Sequence, residues 1–293
     1  MSAVTQEVQQ QVVDLKFNYV ILDFTNLRRI HKVERMKNIL RANGLLGAVL
    51  LGLSLLLTGC DKDDDKETTV LYGPETFIGE GAVRAWVKVT PDRKPVEIGV
   101  SMSKDVVPSL PNEMTVYTLG LPEGVELPPY NHVMLDWNPQ GHPPMEYVLP
   151  HFDVHFYTVP VAEREAVVPG PQGHTPEFEE KYIPAGYVSG MEVVPNMGVH
   201  WMDGSSPELN GEVFTKTFIY GANNNKIIFY EPMLTLAYLQ SLDPNRKDMQ
   251  PVKQAPQVQQ VGYHPGAYVI YNNTEENTFE IYLTDMKYRE PVK

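Results

Sequence analysis

The chain has 293 residues, with 24 Lys and Arg against 37 Asp and Glu and a formal net charge of −13. An acidic surface of this size repels phosphate backbones, which argues against nucleic acid as a partner. A single cysteine excludes an internal disulfide, and 25 prolines and 21 glycines among many β-branched and aromatic residues predict short strands and many turns.

In chain order, the first strong signal is the stretch GLLGAVLLGLSLLLTGC at 44–60, preceded by the basic MKNILRAN and followed at once by DKDDDKE. Its clean apolar run, 45–57, is thirteen residues, short of the about 20 that a membrane span needs, so it predicts an export signal helix rather than a fold element. Leu57, Thr58, Gly59 and Cys60 resemble a bacterial lipobox. The resemblance implies cleavage before Cys60, acyl chains on that cysteine, and a mature protein tethered to a membrane rather than embedded in it. Counting from Met36 makes 36–59 a signal peptide of 24 residues, so residues 1–35 are expected to be an over-extended start, the alternative being a genuine N-terminal extension. Removing 1–59 takes away seven of the 24 basic and four of the 37 acidic residues, leaving 17 against 33. Residues 60–70 are expected to form a solvated acidic tether. An acidic cluster just after the lipid-bearing cysteine resembles surface lipoproteins of the Bacteroidota, which implies the cell envelope, at the outer membrane and exposed on its surface. A plain spacer, which would leave the periplasmic orientation open, is the alternative.

Residues 71–293 then read as one all-β domain, a barrel or a sandwich with long Pro- and Gly-rich loops. AVRAWVKV at 82–89 and VEIGVSM at 96–102 form a predicted hairpin across TPDRKP. Short strands are expected at 113–119 and 132–135, followed by a turn-rich loop, DWNPQGHPP, at 136–144. PHFDVHFYTVP, bounded by Pro150 and Pro160, is a strand by composition. The acidic, proline-rich 161–190 should hold at most a helical turn near 177–182. Two more hairpins are predicted, 213–221 with 226–239 across ANNN, the second arm able to turn helical after Pro232, and AYVIYNN with TFEIYLTDM across TEEN.

Chemistry concentrates in the histidines, six of which lie from His132 to His200. Neutral imidazoles and carboxylates are the usual ligands of divalent transition metals, zinc first among them. On a strand His151, Asp153 and His155 point to one face while Phe152, Val154 and Phe156 point to the other. His151 and His155 then stand ~13 Å apart at Cα, too far for one ion unless a bulge bends the strand, whereas either with Asp153 is ~7 Å. A site therefore takes Asp153 with one flanking histidine, the other histidine supporting it or serving a separate site. The remaining ligands come, in order of preference, from His142, His200 and Glu231. Two other readings stay open: a polar face whose members only hydrogen-bond, and metal-free acid–base chemistry. The alternating histidines only loosely resemble a cupin's, with no Glu at matching spacing. No G-x-S-x-G, phosphate-binding glycine loop or H-E-x-x-H occurs.

Together DWNPQGHPP, PHFDVHFY, PNMGVHW and FYEPM are similar to an exported bacterial domain family of uncharacterised function, over most of 71–289. That resemblance implies that the four segments act as one unit and implies no reaction. The expected function is a membrane-anchored lipoprotein whose histidine-rich pocket binds a divalent metal or a small ligand. The alternatives are a metal-dependent enzyme activating water or oxygen, and a structural or partner-binding surface protein without metal.

Overall fold

The computed structural model describes residues 67–169, 178–190 and 192–292. The expectations for residues 1–35, the signal peptide, Cys60 and His174 lie outside them. Among the described residues no helix is long and apolar enough to cross a membrane.

Two antiparallel sheets carry the fold. The first runs β1 (Thr69–Tyr72), β3 (Gly81–Val89), β4 (Pro95–Ser103), β15 (Thr278–Thr284), β14 (Ala267–Asn273) and β12 (Lys247–Pro251), with β2 (Thr76–Ile78) also paired to β3. The second runs β5 (Thr115–Gly120), β6 (His132–Asn138), β7 (His151–Tyr157), β11 (Lys226–Thr235), β10 (Lys216–Asn223), β9 (Val199–Asp203) and β8 (Tyr187–Ser189). A ribbon of β13 (Gly262–His264) and β16 (Lys287–Arg289) stands apart from both sheets. The architecture is an all-β sandwich. The barrel alternative is corrected: among the described residues both sheets stay open, ending on short strands such as β8, of 3 residues, and β1, of 4 residues, which offer little edge for further pairing.

One apolar core lies between the sheets. Val83, Ala85 and Val87 from β3, Ile98 and Val100 from β4, and Ile281 and Leu283 from β15 meet Val133 and Leu135 from β6 and Phe152, Val154 and Phe156 from β7 in a single buried cluster. The strict alternation of each strand supplies these residues to one face. Phe156 is 0% exposed, so Phe156→Ala is expected to cost about 3–5 kcal/mol, measured as a fall in urea midpoint without a change in slope.

The predicted hairpins form. β3 and β4 pair across the TPDRKP turn, and β14 and β15 across residues 274–277. The β10–β11 turn places Asn224 and Asn225 at φ of 48° and 58°, the left-handed conformation that asparagine tolerates best after glycine. β11 continues as a strand through Pro232 to Thr235, whose hydroxyl accepts the Tyr238 N–H and caps α2 (Leu236–Ser241). Four local expectations are revised. β1 begins at Thr69, inside the expected tether. Residues 161–190 contain a short helix, α1 (Val161–Glu165), and strand β8. Ala222 and Asn223 of ANNN belong to β10. The fourth matters most: Asp136, Trp137 and Asn138, expected in a turn, are the last three residues of β6.

Candidate metal centre

The face of the second sheet turned away from the core is itself covered. All seven residues of β7 are buried, so His151, Asp153 and His155 do not meet solvent. Two apolar clusters lie on this face. One contains Met134, Tyr157, Ile228 and Phe229, and the other Tyr147, Met202, Phe214, Ile219 and Met233. The same face carries the polar residues, in two groups.

In the first group, donor atoms of His142, His151 and Asp153 all lie within 4.8 Å of one another. His151 Nε2 is 3.1 Å from Asp153 Oδ1, and His142 Nε2 is 3.3 Å from Asp153 Oδ2. Asn138 donates its side-chain N–H to Asp153 Oδ2 at 2.8 Å and so orients that carboxylate. His142 arrives on the loop after β6, whose shape follows from local bonds. Its backbone N–H donates to the Tyr147 carbonyl at 3.0 Å, and the Tyr147 N–H to the Pro144 carbonyl at 2.9 Å. Gly141 makes the turn at φ 65°, where a Cβ would collide with the Tyr147 carbonyl oxygen.

In the second group, donor atoms of His155, His200 and Glu231 meet the same 4.8 Å condition. His155 Nε2 is 3.2 Å from Glu231 Oε1, and His200 Nε2 is 3.7 Å from Glu231 Oε2. Two sequence features make room for this meeting. His200 on β9 pairs with Gly221 on β10, which pairs with Phe229 on β11. With no side chain at Gly221, the Phe229 ring lies where a Cβ would stand, 4.8 Å from the His155 ring and 5.4 Å from that of His200. Pro232 has no N–H for the β7 ladder, whose pairing stops at Tyr230 with Phe156 and resumes at Met233 with Asp153. The interruption falls beside Glu231 and His155. Gly221→Ala is therefore expected to displace the Phe229 ring and spread the donor atoms of the second group while leaving the first group intact, as read by the structure of the variant.

Burial governs the ionisation of the face. It pushes His155 down to about 3 and His200 down to about 4, so both are neutral at pH 7. It raises Glu231 well above the usual carboxylate range, with Asp153 and Asp136 adding to the effect. Asp136 is raised for the same reason, first by burial and then by Asp153. Asp153 behaves oppositely: burial opposes its charge, but His142 and His151 outweigh that and hold it well below the ordinary value. His142 is raised, because Asp153 more than offsets its desolvation.

All six residues singled out from sequence thus meet at one face of the second sheet, His142 and His200 half-buried and the other four buried, and they divide so that His151 and His155 serve different groups. Sequence reasoning missed Asp136 and Asn138. The signal was present: in HVMLDWN, His132, Met134, Asp136 and Asn138 alternate with Val133, Leu135 and Trp137, but the prolines downstream outweighed it. His132 joins neither group and stacks instead on Tyr157 at 4.8 Å.

Residues 91–137 match the model of a family described as TTHB210-like, hypothetical protein TTHB210. The matched stretch spans β4 to β6 and includes Asp136, but stops before the first of the six residues. No curated protein and no solved structure matches the chain.

Proposed function

We propose that this chain is an envelope lipoprotein whose β domain binds a divalent transition metal, zinc first among them, through the histidines and carboxylates of its second sheet. One observation carries the metal reading. His151 Nδ1 lies 2.6 Å from the Leu149 carbonyl oxygen and His142 Nδ1 lies 2.7 Å from that of Pro143. A carbonyl only accepts, so both Nδ1 atoms carry the proton and, in the neutral rings, both Nε2 atoms present lone pairs to the Asp153 carboxylate. Lone pair against lone pair at 3.1 and 3.3 Å is repulsive unless a cation stands between them. Protons could meet these contacts only one per ring, and Asp153 does favour one on His142, whereas a single metal ion meets all three donors at once. Backbone carbonyls that fix the tautomer of ligating histidines are the usual support of such sites.

Orphaned buried atoms support the same reading. His151 Nε2, Asp153 Oδ1, both ring nitrogens of His155 and Glu231 Oε2 are buried without a hydrogen-bond partner, a cost of about 1–3 kcal/mol each if nothing binds there. Two histidines with one carboxylate suit zinc, and also the iron of oxygen-activating sites. Such a set supplies three protein donors and leaves a coordination position open, which favours a catalytic over a purely structural ion as the second reading. Metal analysis of untagged protein, as isolated and after reconstitution, tests the proposal. At least one equivalent per chain is expected, and less than about a tenth of an equivalent overturns it.

The lipid anchor rests on the basic segment, apolar run and small residues that precede Cys60. Cys60→Ala is expected to abolish palmitate labelling and release the protein from the membrane fraction. Persistent labelling would refute the anchor.

A further inference from the structure

Asp136 is a buried carboxyl on this face that neither group uses. It is 0% exposed, and neither of its carboxylate oxygens has a hydrogen-bond partner. The register locates it: Asp136 pairs with Asp153, while its neighbours on the same face of β6, Asn138 and Met134, pair with His151 and His155. Asp136 therefore stands opposite the one residue whose flanking partners belong to different groups. Directly opposed residues have Cβ atoms about 4.5–5.5 Å apart, and diagonal ones about 7–8 Å apart, so its side chain stands between the two groups, near enough to act electrostatically on His142 of the first and Glu231 of the second.

Two carboxylates so opposed, with no donor between them, repel. Arg164 makes no hydrogen bond to Asp136, directing its bonds to Thr118, Met134 and Glu165 and a further contact to His132, and acts on it only through space. Asp136, Asp153 and Glu231 thus place three carboxylates on one buried face. A single divalent ion in either group leaves Asp136 unmatched. A second divalent ion gives Asp136 a partner as well.

We infer that the two groups form one two-ion centre, with Asp136 as a carboxylate ligand shared between the ions. This rests on the metal reading above and adds to it a stoichiometry and a ligand. The test uses untagged full-length protein, stripped with a chelator and titrated with Co(II), with bound metal counted and exchange coupling between the ions read by electron paramagnetic resonance. Two ions per chain with a coupled signal are expected. Asp136→Asn, which keeps the side-chain shape, should retain one ion, weaken the second about 10-fold or more and abolish the coupling, while the metal-free variant melts no lower than the wild type. One ion per chain in the wild type, two ions without coupling, or two coupled ions undisturbed by Asp136→Asn each overturn the shared ligand and leave the metal reading standing. No bound metal overturns both. Should the Asn variant fail to fold, the coupling in the wild type decides.

Discussion

Saturating zinc is expected to raise the melting temperature of the metal-free protein by about 5–10 °C. Free metal at a hundred times its dissociation constant contributes about 2.7 kcal/mol to the folded state, and in a domain of this size each kcal/mol moves the midpoint by about 2–4 °C. The informative variant is Glu231→Gln. In the metal-free protein it replaces a wholly buried carboxyl, whose ionisation burial, Asp153 and Asp136 all oppose, with a neutral amide of the same shape, so its own melting point should hold or rise. Its gain on adding zinc should fall by at least half, because the second group loses its anionic donor. A residue important only for packing would do the reverse, lowering the metal-free melting point and leaving the increment unchanged. Protons provide a second readout. A ligating carboxyl must be ionised, and burial with Asp153 and Asp136 raises Glu231, so any proton it holds is released into a weak buffer on loading and affinity should fall with acid. Scanning calorimetry with and without zinc, together with proton release measured in a pH-indicator assay, checks both.

Acid is expected to destabilise the metal-free protein steeply well before ordinary carboxylates titrate. Burial pushes His132, His200 and His264 down to about 4 and His155 down to about 3. These folded values lie below the unfolded one, so the contribution to stability is complete above about pH 6.5 and is lost as pH falls towards 4, where the unfolded chain takes up protons that the folded chain refuses. A shift from the ordinary 6.5 to about 4, as at His264, is worth about 3 kcal/mol. Asp136 and Glu231 act in the opposite sense. As raised acids they contribute most at low pH, and that contribution is lost as pH rises through their folded values, so they soften the acid slope and metal loading removes the softening. His264 isolates the effect from the metal centre. Its Nε2 lies 3.0 Å from the Gln260 carbonyl and its Nδ1 2.7 Å from the Tyr230 hydroxyl. Nε2 therefore donates and Nδ1 accepts, and acid reverses the second bond by protonating Nδ1, so that the Tyr230 hydroxyl accepts and its own proton loses this acceptor. His264→Gln keeps an acceptor for Tyr230 and should flatten the dependence of unfolding free energy on pH by nearly one proton between pH 6.5 and 4.5. Urea titrations at several pH values measure this, and an unchanged slope would refute the role of His264.

Much of this fold is legible residue by residue where the period is regular and the turns are marked. PHFDVHFY declares a strand by its alternation, and the β10–β11 and β14–β15 hairpins are announced by asparagine-rich turns that accept the left-handed backbone. Short elements were not legible. α1 and β8 lie in a proline-rich acidic segment whose local preference is weak, and tertiary contacts supply what propensity does not. Asp136 and Asn138 were lost for a related reason, since the prolines that follow them mark a turn without saying how many strand residues come before it.

The amino-acid order determined by itself that His151, Asp153 and His155 share a face and that His151 and His155 cannot hold the same ion, because both facts follow from the two-residue period and the rise of a single strand. Only the tertiary structure decided which partners reach that face. His142 comes from a loop, His200 from three strands away across a glycine, and Glu231 from the neighbouring strand at a break made by Pro232. It decided as well that the face is covered. Burial is what turns a hydrogen-bonding strand surface into a set of unsatisfied donors and acceptors, and no local period records what a distant segment will lay over it.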